Sequence, residues 1–164
     1  LAQLGFSALS SFTSPGTSNV TTLGQTFDLT SPTAYDARIF VLPSNISCPS
    51  TVNTVFSFKL NPGIWIVQGG IVFVGTSTTV TENYLEAGVC DDETTTTTSG
   101  WLTPITFDTF NPVGSTLSPT YSYPLQVMRM LIVTAPTTYY VRVLAYTTGF
   151  SMANTTKLYA IRLR

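Results

Sequence analysis

Histidine is absent from all 164 residues. That absence removes the commonest general base, the Ser–His and Cys–His nucleophile pairs and the usual zinc and copper ligands. Charge is scarce too: Asp, Glu, Lys and Arg make up 9% of the chain, against roughly 25% in an ordinary soluble domain. The 7 basic and 8 acidic side chains leave a net charge of −1, which is no electrostatic footprint for nucleic acid or for an anionic membrane surface. No apolar run approaches the ~18 residues of a spanning helix, and no basic stretch precedes a short apolar one, so neither membrane insertion nor a signal peptide is expected. Two cysteines, Cys48 and Cys90, are too few for a disulfide framework and leave open whether they bridge.

Hydroxyls take the place of the missing charges. Ser and Thr together exceed a quarter of the chain, and the β-branch of Thr favours extended backbone. Residues 1–34 are rich in Ser, Thr, Gly and Pro and read as an extended lead-in, with one docked strand near Phe27; residues 35–164 read as a single domain. Strands are expected over 35–42, 55–60, 64–74, 79–89, 101–110, 125–135, 138–146 and 157–163. Phe56, Phe58 and Leu60 alternate with Val55, Ser57 and Lys59, and Asn61-Pro62-Gly63 supplies a turn to the next strand. Gly69-Gly70 inside that strand points to a bulge or to close approach of another backbone. No helical periodicity of useful length occurs. The pattern is all-β, a two-sheet antiparallel sandwich or jelly roll.

A strand of a sandwich ordinarily has one apolar face and one wet face. Three C-terminal strands break that rule. Leu125, Val127, Leu131 and Val133 oppose Met128, Met130 and Ile132; Val141, Val143 and Ala145 oppose Tyr140, Leu144 and Tyr146; Leu158 and Ala160 oppose Tyr159, Ile161 and Leu163. Arg129, Arg142 and Arg162 sit singly among them. One sandwich has one interior, so the second faces call for another subunit. The expected interface comprises Met128, Met130, Ile132, Tyr140, Arg142, Leu144, Tyr146, Tyr159 and Ile161.

What remains for chemistry is thin. Glu82 and Glu86 are two carboxylates of a kind a glycosidase uses, but on an alternating strand they read as a solvated face. Asp91-Asp92-Glu93 lacks the spaced oxygens of a calcium loop and reads as an acidic turn. Neither thiol has a basic neighbour in the sequence to activate it. No catalysis, metal or cofactor is expected. Asn19, Asn45 and Asn154 head N-x-Ser/Thr triplets, a pattern frequent by chance in so Thr-rich a chain. Trp101, Tyr121, Tyr123, Asp91 and Asp92 lie in or beside the loops over 90–100 and 111–122 and are the candidate contacts for a receptor or glycan; 44–54 is a third candidate loop.

The stretch from Phe56 through Asn61-Pro62-Gly63 to Val67, the strand Tyr139-Tyr140-Val141-Arg142-Val143 and the terminal Leu158-Tyr159-Ala160-Ile161-Arg162-Leu163 resemble the jelly-roll heads of the tumour necrosis factor and complement globular-head superfamily. That group includes the trimeric heads of viral and phage fibres and of collagen-like proteins. The resemblance covers about a fifth of the chain. It implies a homotrimeric head on a virion surface or outside the cell, binding a host surface protein or glycan through its loops. A chain opening Leu1-Ala2-Gln3 is expected to be a piece of something longer, with any collagen-like stalk upstream of Leu1. A capsid or decoration jelly roll with no receptor role is the alternative.

Overall fold

The computed structural model describes residues 15–31, 37–48, 51–75, 84–94, 105–108, 122–145 and 150–163. Every regular element among them is a strand. In chain order these are β1 (Gly16–Asn19), β2 (Gln25–Asp28), β3 (Ala37–Val41), β4 (Ile46–Cys48), β5 (Asn53–Leu60), β6 (Gly63–Gly75), β7 (Tyr84–Cys90), β8 (Ile105–Asp108), β9 (Ser122–Val133), β10 (Thr137–Ala145), β11 (Phe150–Met152) and β12 (Lys157–Leu163).

They form two sheets. The first is built on β3-β12-β6-β9, with β1 beyond β3; β11 follows β12 along the same edge of β6 and carries β4 outside it. The second has the order β2-β5-β10-β7-β8. From β3 onward the eight principal strands change sheet at most connections, giving four-stranded layers 3-12-6-9 and 5-10-7-8. Two Greek keys wrapped in this way make a jelly roll.

Two features depart from the expected antiparallel sandwich. β1 runs parallel to β3, and β2 runs parallel to β5, so both sheets are mixed. Both parallel strands come from the Ser/Thr-rich N-terminal stretch, which places one short strand on each layer. The expected lead-in thus contributes to both sheets, and Val20 and Leu29 beside these strands enter the core.

The core follows from the alternation. Phe56, Phe58 and Leu60 are wholly buried, and the ring of Phe40 stacks on Phe56 and Phe58 at 4.5 and 5.6 Å between centroids. Phe27 and Tyr139 extend the aromatic cluster. Val55 and Ser57 are buried too, against the expected wet face. The register slips where Val141 pairs with Phe56 and Arg142 with Thr54, leaving Val55 as the extra residue of a bulge that turns it into the main core. Trp65 is buried and its indole N–H donates to the Asn61 carbonyl at 2.9 Å, tying the β5–β6 turn to the strand it starts.

Gly69 settles the meaning of the glycine pair. Its φ is 151°, and a Cβ there would lie 2.1 Å from the Lys157 carbonyl oxygen and 2.7 Å from Leu158 Cα. The glycine permits β12 to approach β6, so close packing of backbones, the second of the two expected reasons, is the one realised.

Candidate functional site

β9, β6 and β12 bring three rows of side chains together on the outer face of the first sheet. Along β9, Leu125, Val127, Leu131 and Val133 point into the sandwich and are buried, which turns Met128, Met130 and Ile132 outward. The pairing of β9 with β6 sets Ile132 beside Ile64, Met130 beside Ile66 and Met128 beside Gln68. The pairing of β12 with β6 adds Leu163 to the first row, Ile161 to the second and Tyr159 to the third. The third row runs on to Ile39 of β3.

This face is apolar and open. Met128 is 69% exposed, Met130 59%, Ile132 70%, Ile64 43% and Leu163 41%, and these are the large exposed hydrophobic residues among the described ones. Ile66, Gln68, Tyr159 and Ile161 are half-buried. No charged residue stands in the three rows. Lys157 lies one row further along β12, opposite Gly70. Arg162 is in register with the inward Trp65; its guanidinium donates to the Pro62 carbonyl at 2.7 Å and sits 6.0 Å from the Trp65 ring centroid. A contiguous apolar surface of this kind on a folded chain marks an interaction site.

The expected interface set divides between the two sheets. Met128, Met130, Ile132, Tyr159 and Ile161 share the open face. Tyr140, Arg142 and Leu144 stand on β10 in the second sheet, where Leu144 is 7% exposed and packs with Cys90, Val52 and Tyr140. Arg142 and Glu86 are buried as well, so Glu86 is no solvated carboxylate. Tyr146 lies outside the described residues, as does Glu82. Ile64 and Leu163 complete the open face and were not in the expected set; the signal for them was the apolar run Ile64–Val67 that opens β6 and the apolar parity of β12.

Cys48 and Cys90 are both free and buried. Burial pushes the Cys48 thiol up to about 12. Burial raises the pKa of Cys90 as well; a backbone hydrogen bond at Asp92 and the basic neighbour Arg142, brought by the β10–β7 pairing, lower it, but burial outweighs them and the net shift is upward. Neither is an activated nucleophile.

Of the expected receptor contacts, Tyr123, Asp91 and Asp92 are among the described residues. Trp101 and Tyr121 lie outside the described residues. Tyr123 is not in a loop; it is half-buried on β9, its ring edge-on to Phe150 at 6.0 Å. Asp91 and Asp92 are exposed after β7, where Asp92 Oδ1 accepts from the Thr94 amide at 2.8 Å and from its hydroxyl at 2.7 Å, a turn-forming arrangement. Among the described residues no group of three or more His, Cys, Asp or Glu comes together, and no helix is long and apolar enough to cross a membrane.

The strand order and the open apolar face define an all-β sandwich with a surface suited to packing against another protein. No family model matches the chain, and no curated protein matches it. Among solved structures it is similar to the subviral particle of infectious bursal disease virus VP2, at 13% identity and a TM-score of 0.46, over 77% of this chain and 33% of that one. It is also similar to a pentameric capsid protein isolated from metagenomic phage sequences, at 14% identity and a TM-score of 0.26, over 72% of this chain and 59% of that one. The chain therefore spans a third to three fifths of the length of these two proteins. At such scores the likenesses carry no weight about function, and the sandwich stands on its own strand order.

Proposed function

We propose that the chain is a non-catalytic structural subunit that works by self-association, a jelly-roll building block of a virion. The observation that carries this reading is the open face of β9, β6 and β12. Its exposed side chains amount to nearly three whole apolar residues left in water. At roughly 1.5–3 kcal/mol for each Leu, Ile or Met fully buried, covering the face recovers about 4–8 kcal/mol per copy. That is comparable with the ~4–15 kcal/mol that association costs in lost freedom.

The absence of histidine and the burial of Glu86 support a role without turnover. Attachment to a host protein or glycan by a homotrimeric head, as the superfamily resemblance implies, would add a function to the loops; the inward turn of Tyr123 weighs against that addition. Light scattering and negative-stain microscopy of the purified chain test the reading. Association into a dimer or a larger assembly is expected, with no retention on a glycan array. A monomer at every concentration overturns self-association, and specific glycan binding moves the reading to an attachment head.

A further inference from the structure

We infer that the occupant of the open face is the same face of a second copy, packed sheet to sheet about a two-fold axis along β6. This rests on the self-association reading and says which surfaces meet.

Charge selects the partner. Two identical charged faces repel when stacked, so a patch with a strong sign calls for a different protein. Here the three rows, from Met128 to Leu163, hold no acid and no base, and Lys157 stands at their margin. Nothing in them calls for an oppositely charged partner, and nothing in them repels its own copy.

Size agrees. Three strands about 4.8 Å apart and three rows about 6.8 Å apart make a dry centre on the order of 300 Å². With a rim drawn from the flanking strand β3, where Ile39 and Val41 are half-buried on the same side, the flat extent grows to about 400 Å², the scale of a small, reversible pairwise contact, against the roughly 800 Å² per partner of a standard interface. An extended, apolar, pleated surface is matched best by another sheet lying about 10 Å away, as the two sheets of a sandwich lie.

Relief sets the register. The β9 row stands proud, with exposures of 59–70%, whereas Tyr159 and Ile161 on β12 are half-buried. A two-fold axis along β6 puts the raised row of each copy over the lower row of the other, so Met130 meets Ile161 and Ile132 meets Leu163 across the interface. The flexible methionines adapt to the remaining gaps. A face filled in this way by one copy leaves no room for a third around the same axis, so the contact is pairwise.

Complementary charge swaps test it. Met130→Lys and Ile161→Glu are prepared separately on the full chain and their mass is followed by light scattering, with circular dichroism to establish that each is folded. Each variant alone is expected to associate at least about a hundredfold more weakly than the unaltered chain, because a charge is buried against an apolar row. An equimolar mixture is expected to regain association, since one contact becomes a Lys–Glu pair and the symmetry-related one is native. Ile132→Lys mixed with Leu163→Glu repeats the test at more exposed positions. If the unaltered chain associates and the single variants associate equally well, or the mixtures stay apart, the face-to-face contact is wrong and self-association stands. If the unaltered chain never associates, the self-association reading itself fails.

Discussion

Gly69 shows how much a single residue decides in this fold. The space a Cβ would need is taken by the backbone of β12, not by a movable side chain, and a φ of 151° is one that L-residues rarely adopt. Gly69→Ala is therefore expected to destabilise the chain by at least about 2 kcal/mol, read as a fall in Tm of roughly 4–8 °C. Gly70→Ala meets only the flexible Gln126 side chain at 3.2 Å and is expected to cost much less. Cys48 gives a pH prediction. Its thiol is pushed up from 9.0 to about 12 by burial, so the folded state holds its proton longer than the unfolded one. The stability it contributes is complete below pH 9 and is lost as pH rises from 9 towards 12. Unfolding by denaturant at pH 8, 10 and 11 should show that decline, and it should shrink in Cys48→Ala. At pH 8 the folded chain should react with iodoacetamide far more slowly at Cys48 than the unfolded chain does.

At the scale of strands, alternation proved readable where it was long. The elements expected over 125–135, 138–146 and 157–163 are β9, β10 and β12, and the Asn61-Pro62-Gly63 turn joins β5 to β6 as expected. β1, β4 and β11 carry three or four residues each, too few for a period to show; their pairing comes from the long strands beside them. The two-sided apolar character of β9, β10 and β12 was legible, but not the sheet each would join. Leu144 and Arg142 are buried in the folded chain, while Met128 and Met130 are left open, and that difference depends on partners far away in sequence. Tyr123 was misplaced for a related reason: Ser122 and Pro124 look like a loop, yet long-range pairing with β6 extends the strand through them. The aromatic stack gives the element-scale prediction. Phe56 has no exposed surface and meets Phe27, Phe40 and Phe58, so Phe56→Ala is expected to cost about 3–5 kcal/mol in denaturant unfolding. Ile132→Ala, on the open face, is expected to change monomer stability by less than about 0.5 kcal/mol while weakening association.

For the molecule as a whole, the two outer faces of the sandwich are unlike. On the second sheet Arg142, Leu144 and Cys90 are buried; on the first Met128, Met130 and Ile132 stand open. The proposed self-association rests on this asymmetry. The three methionines supply their own gauge, because Met128 and Met130 lie on the open face whereas Met152 is wholly buried in the core. Peroxide converts an accessible thioether to its sulfoxide, and mass spectrometry reads each site separately. The most direct measurement is the oxidation rate of the three methionines in dilute and in concentrated protein. The account predicts that Met128 and Met130 oxidise quickly when dilute and are protected when concentrated, with Met152 slow throughout. Equal rates for Met128 and Met130 at every concentration would contradict it.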